Sequence, residues 1–155
     1  MSCVEAPDFE VPKLGELLSF AIYSANLACG RAYRPLLELL GLTYTQWIVI
    51  VALGERDDQS VSSLGDTLFL ESNTLTPVLK KLELAGLVRR QRSPADERQV
   101  HINLTEKGRR LGEKSMWERK PAHFGLAPGE LVELQEKVTR IRDDLFRYVG
   151  KNVER

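Results

Sequence analysis

Residues 60–104 constrain this chain more than any other stretch, because two short helical patterns and two alternating ones follow one another there without a gap. Ser60 can cap a short helix, VSSLGDTLF, and a turn separates it from a second helix running from about Ser72 to Ala85, where Gly86 ends it. LVRRQR and QVHINL then alternate apolar and polar residues on either side of SPADER, a cluster of turn formers, and so read as a β-hairpin with a charged tip. A helix, a tight turn, a second helix and a hairpin leave few architectures open.

The flanks are helical. From Leu14 the residues Leu17, Leu18, Ala21, Ile22 and Ala25 recur at three- and four-residue steps, and the pattern reaches Leu40 before Gly41. Pro35 inside it should kink or split that helix, since it lacks an N–H and its ring clashes one turn back. Thr43 and Gln46 form a capping box that opens a helix apolar on most sides, expected at the centre of the core. Asp57, Asp58 and Gln59 read as a turn. Thr105 caps a fifth helix stopped by Pro121, and Pro128 opens a sixth with Leu131, Leu134, Val138, Ile141, Leu145 and Val149 on one face. The fold class is therefore mainly α with a small β-hairpin.

Composition narrows the setting. At 155 residues the chain suits one core, and 43% apolar with 28% charged residues suits a globular protein. No apolar run approaches the roughly 20 residues that span a bilayer, and the start lacks a signal peptide's basic and apolar regions. Two cysteines, Cys3 and Cys29, make no disulfide framework, so a cytoplasmic, reducing setting is expected and no membrane. Net charge is zero, but residues 1–70 carry four bases against nine acids, leaving eighteen bases and thirteen acids for the rest. That asymmetry gives slight support to a basic surface in the second part.

On the helix from Ser72 to Ala85, Leu75, Val78, Leu79 and Leu82 form one stripe, and Asn73, Thr76, Pro77 and Lys80 fall on the opposite side, with Lys81 adjoining. Short hydrogen-bonding side chains beside a cation can reach base edges and phosphates in a major groove. The helix start, Ser72, Asn73 and Thr74, adds backbone N–H groups suited to phosphate. Taken alone, such a face is more simply a solvated one. The hairpin alters that judgement: it places Arg89, Arg90 and Arg92 on the stem and Arg98 at the tip, with Asp96 positioned to orient the Arg98 guanidinium in a minor groove. Double-stranded DNA is the expected partner. Enzyme motifs are missing: His101 and His123 are the only histidines, and there is no HExxH, CxxC pair, phosphate loop or nucleophile elbow. Neither a cofactor nor a metal is expected. A winged-helix module that binds protein would instead present an apolar or acidic outer face on this helix.

These residues closely resemble the MarR family of winged helix-turn-helix regulators. LTPVLKKLE looks like its recognition helix and DER like its wing-tip motif. The resemblance implies one domain over 1–155, with dimerisation helices at 14–42 and 105–150 flanking a DNA-binding lobe at 43–104. It also implies an obligate homodimer acting as a repressor on a pseudo-palindromic operator, with Asp96 and Arg98 at the minor groove. LLSFAIYSA, AYRPLLELLGLTY and LFLESNTLTP further resemble the organic-hydroperoxide sensors called OhrR. In that branch a cysteine on the first helix is oxidised, and two tyrosines of the partner subunit hydrogen-bond it. The tyrosines correspond to Tyr33 and Tyr44; the cysteine position is Ser19. A serine takes the same hydrogen bonds but cannot become a sulfenic acid. Two readings stay open: a Cys→Ser form that holds the reduced, DNA-competent state, or a natural relative without peroxide sensing. A further alternative is release by a small aromatic or anionic ligand, in a crevice lined by Tyr23, Tyr33, Tyr44 and Trp47. Cys29 stands about 1000° of helix rotation from Ser19 and reads as a small buried residue rather than a substitute sensor, and Cys3 sits in an irregular tail.

Overall fold

The computed structural model describes residues 12–92, 100–118 and 125–153, with the backbone alone for 116–118 and 151–153. The chain divides into two units, residues 1–120 and 121–155. Within the first lie α1 (Leu18–Leu40), α2 (Tyr44–Glu55), β1 (Gln59–Ser60), α3 (Val61–Leu68), α4 (Ser72–Leu84), β2 (Val88–Arg92), β3 (Val100–Leu104) and α5 (Glu106–Glu118).

The helical pattern from Leu14 divides in two. A 3-10 turn at Leu14–Glu16 is closed by Lys13 N–H donating to Glu16 Oε2 (3.1 Å), and Leu17 is extended before α1 begins. Ser19 therefore lies in the first turn of α1. Of the kink or split expected at Pro35, the split does not occur, for α1 runs on to Leu40. Pro35 removes one hydrogen bond to the Arg31 carbonyl, and both residues are exposed, so water can take that carbonyl, while burial of Leu37 and Leu40 holds the last turn. Gly41 ends it in the left-handed region at φ 66°.

Helix α2 opens with the Thr43–Gln46 capping box, Gln46 N–H donating to Thr43 Oγ1 (3.3 Å) and Thr43 N–H to Gln46 Oε1 (2.8 Å). Val49, Ile50 and Leu53 on it are buried, joined by Leu64 of α3, by Leu75, Leu79 and Leu82 of α4, and by Val88 and Ile102 of the sheet. Each such side chain contributes roughly 2 kcal/mol by leaving water. Ser60 caps α3 by accepting from Ser63 N–H (3.1 Å). The turn into α4 is tight: Leu70 N–H donates to Gly65 O (2.9 Å), and a Cβ on Gly65 would stand 2.7 Å from Leu70 O. Only glycine fits there.

The sheet has three strands in the order β1-β3-β2, all antiparallel, rather than a two-stranded hairpin. Gln59 and Ser60, read from sequence as turn and cap, pair with Ile102 and His101. Two residues are too few to show a period of two. The register Val88↔Leu104, Arg90↔Ile102, Arg92↔Val100 puts Arg90 on the core side of the sheet and Arg89 on the other.

In the second unit α6 (Pro128–Val153) starts at its proline, with Ala127 N–H donating to Glu130 Oε2 (2.8 Å). Leu134, Val138, Leu145 and Val149 are exposed, and Leu131 and Ile141 half-buried, when the chain stands alone. Among the described residues no single helix is long and apolar enough to cross a membrane.

Candidate nucleic-acid interface

Helix α4 divides by face. Leu75, Leu79 and Leu82 are wholly buried, whereas Ser72, Asn73, Thr74, Thr76, Pro77, Lys80 and Lys81 are exposed. At the N-terminal end Asn73 Nδ2 donates to Glu71 Oε2 (3.2 Å) and Thr74 Oγ1 to Asn73 Oδ1 (3.2 Å), so these side chains form a small ordered cluster around the first free backbone N–H groups. Lys80 makes no hydrogen bond or ion pair among the described residues. Arg92 is exposed on β2. Asp96 and Arg98 lie outside the described residues.

A residue that sequence reasoning left merely on the hairpin stem ties the two elements together. Arg90 Nη2 donates to Thr76 O (3.2 Å), and its Nε lies 3.3 Å from Glu83 Oε2. Thr76 and Glu83 are seven residues apart, two helical turns, on one edge of α4. One guanidinium thus fastens β2 to one edge of α4. Only the strand register, which aims Arg90 at α4 rather than at solvent, could have disclosed this.

The other face of the sheet is fastened to the turn after α2. Asp58, at φ 57°, accepts from Asn103 Nδ2 (3.0 Å) and faces His101 Nδ1 (3.3 Å). The Asn103 hydrogen bond, helped by His101 and Arg89, holds its carboxyl below the usual carboxylate range. A depressed carboxylate stabilises the fold above its unfolded pKa of about 3.9, and that contribution is lost as pH falls through the lower folded value. Asp58→Asn, which also tolerates a positive φ, should therefore lower the urea midpoint at neutral pH by an amount that shrinks below about pH 4. A midpoint difference constant from pH 7 to pH 3 would contradict this account of Asp58.

Of the expected sensor residues, Tyr33 and Tyr44 come together, with ring centroids 5.7 Å apart, and Trp47 closes the cluster at 5.2 and 5.6 Å. Trp47 Nε1 donates to the buried Ser115 Oγ (3.1 Å), which fixes the indole from α5. Ser19 and Tyr23 do not join them. Both are exposed near the start of α1, Tyr23 lying against Phe20 with centroids 6.4 Å apart. Fourteen helical residues put Ser19 about 21 Å from Tyr33 along the axis, so within one chain serine and tyrosine pair cannot meet. A four-residue crevice of Tyr23, Tyr33, Tyr44 and Trp47 is accordingly not formed by a single chain. Among the described residues no group of His, Cys, Asp and Glu could hold a metal ion.

The chain matches the family model described as transcriptional regulator SarA/Rot over residues 31–114. It is 44% identical over 141 residues to the HTH-type transcriptional regulator TtmR of Methylorubrum extorquens, covering 88% of this chain and 71% of that one. It is 42% identical over 108 residues to the organic hydroperoxide resistance transcriptional regulator of Bacillus subtilis, covering 70% and 74%. Among solved structures, reduced AbfR bound to DNA, a protein of Staphylococcus epidermidis, superposes with a TM-score of 0.73 at 33% identity, covering 86% and 94%.

Proposed function

Because the chain belongs to the SarA/Rot group of MarR-like winged-helix transcriptional regulators, we propose that it acts in the cytoplasm as a homodimeric repressor on a pseudo-palindromic DNA operator. The observation that carries this reading is the division of α4, three leucines buried on one side and an exposed Asn73–Thr76–Lys80 face on the other. That face enters a major groove, with Ser72, Thr74, Pro77, Lys81 and Arg92 at its margins toward the phosphates. Arg98, oriented by Asp96, enters the flanking minor groove. Residues 43–104 form the DNA-binding lobe, and 14–42 and 105–150 supply dimer contacts, for which the exposed Leu18 and Ile22, one turn apart on α1, offer an apolar face. Arg98→Ala should weaken operator binding by about 1–3 kcal/mol, and equal affinity in a gel-shift titration would refute the wing assignment.

The relationship to the Bacillus subtilis regulator supports a sensor of the organic-hydroperoxide type with serine at the thiol position. Ser19 is too far from Tyr33 of its own chain to meet it, as a sensor completed by the partner subunit requires. The serine chain should hold its operator through hydroperoxide treatment, and Ser19→Cys should release it, because only a thiolate reaches the sulfenic acid. Hydroperoxide-driven release by the serine chain would contradict this account. The second reading, release by a small aromatic or anionic ligand, rests on the same Tyr33–Tyr44–Trp47 cluster and predicts a melting shift with phenolic carboxylates.

A further inference from the structure

Helix α4 carries one residue for which the fold gives no reason. Pro77 is the sixth residue of a helix that runs unbroken from Ser72 to Leu84. A proline suits the first turn, where its missing N–H would have no partner anyway; in the interior it is the costliest residue a helix can hold. Here it leaves the Asn73 carbonyl without its helical donor. Nothing inside the chain offsets that loss. The ring is exposed, while Leu75, Leu79 and Leu82 fill the core and Val78 lies half-buried against it. Nor does it end or divide the helix. A residue that weakens its own helix without serving the fold implies a contact outside it.

Its surroundings narrow what that contact is. Pro77 stands four residues after Asn73 and three before Lys80, so it shares their side of the helix, toward its margin. The polar groups around it are already engaged. Asn73 Nδ2 donates to Glu71 Oε2 (3.2 Å), Asn73 Oδ1 accepts from Thr74 Oγ1 (3.2 Å), and the Thr76 carbonyl accepts from Arg90 Nη2 (3.2 Å). The ring adds a rigid patch of carbon, with no rotamer to freeze and no donor or acceptor. A major groove has one apolar group to match it, the 5-methyl of thymine. On the pyrimidine side of a T·A pair that methyl is outermost, next to the phosphates of its own strand, where a residue at the margin of the face arrives first.

We propose that Pro77 determines specificity, its ring packing on the methyl of a thymine at one position in each operator half-site. The assignment rests on the regulator reading and adds to it the base that one residue selects. Cytosine at that position lacks the methyl and leaves the ring facing an exposed amino group, a polar donor it cannot pair. A 5-methylcytosine carries the same methyl at the same place and substitutes for thymine in part.

The test needs no known operator. Duplexes are selected from a randomised pool with the full chain, and in the enriched sequence each thymine is replaced in turn by uracil, which lacks only the methyl. Binding is followed by fluorescence anisotropy. One thymine in each half-site should lose about fourfold on replacement, the worth of one buried methyl, and both together about fifteenfold. At that position 5-methylcytosine should bind more tightly than cytosine. Pro77→Ser should bind the thymine and uracil duplexes alike, while its melting temperature rises by about 5 °C because serine restores the helical N–H. A chain that is more stable yet blind to the methyl is a result that a structural role for Pro77 would not give. Uracil tolerated at every thymine, a uracil penalty undiminished in Pro77→Ser, a selected half-site without thymine, or a Pro77→Ser chain that melts below the parent would each overturn the assignment and leave the regulator reading standing. A pool from which no sequence is enriched would overturn the regulator reading, and the assignment with it.

Discussion

Gly108→Ala should cost about 3 kcal/mol or more and lower the melting temperature by about 10 °C, the largest stability loss expected from so small a change. A Cβ there would stand 2.0 Å from Leu87 O and 3.0 Å from Leu87 C, with Leu104 Cδ2 at 3.1 Å. The neighbour is backbone, and it is held: Leu87 O accepts from Thr105 N–H (3.1 Å) and from Thr105 Oγ1 (3.2 Å). Thr105 Oγ1 in turn accepts from Gly108 N–H (3.0 Å), so the first turn of α5 and the start of β2 are locked face to face. Relief requires moving the strand away from the helix, which opens the core at Leu87 and Val88. Gly112→Ala supplies the comparison, because its clash is with one methyl of Ile50 and should cost far less. Thermal unfolding followed by circular dichroism decides the matter; a Gly108→Ala melt within two or three degrees of the parent would show that the approach is not as close as described.

The second large effect concerns DNA rather than stability. Lys80→Glu should weaken operator binding about a hundredfold while leaving the melting curve in place. Lys80 is exposed and without a described partner, so its removal disturbs no contact within the fold. Facing the duplex, the change removes one cation and introduces an anion against phosphate, and it should flatten the dependence of log affinity on log salt by about 0.9 for the lost phosphate contact. Lys80→Gln should fall between the two. Unchanged affinity for Lys80→Glu at low salt would take α4 out of the groove and the proposed function with it.

Much of the candidate interface was legible before any coordinates because it rests on a single helix. Leu75, Leu79 and Leu82 repeat at helical spacing, and whatever burial they obtain must turn Asn73, Thr76 and Lys80 the other way. The caps were legible for a similar reason. Thr43 with Gln46, and Ser60 before α3, satisfy N–H groups within three residues, so no distant part of the chain is consulted.

Where the reading from sequence fell short, the partner lay far along the chain. β1 is two residues long and exists only because β3, some forty residues later, offers a free edge. Pro35 was expected to kink or split α1; it does not split it, because the burial of Leu37 and Leu40 outweighs one hydrogen bond surrendered to solvent. Arg90 looked like one of several stem cations, and the strand register turned it into a clamp on α4. Tyr33, Tyr44 and Trp47 gather from two helices, while Ser19 and Tyr23, on the same helix as Tyr33, stay apart from them.

By itself, then, the sequence determined helices α2, α3 and α4, the caps of the first two and which side of α4 faces outward, because those depend on neighbours three or four residues away. Only the tertiary structure decided the tie that Arg90 makes between sheet and helix, the gathering of the aromatic rings, and the glycine contacts at 65 and 108. Each of these depends on the distance between surfaces remote in the chain, a quantity that packing alone specifies.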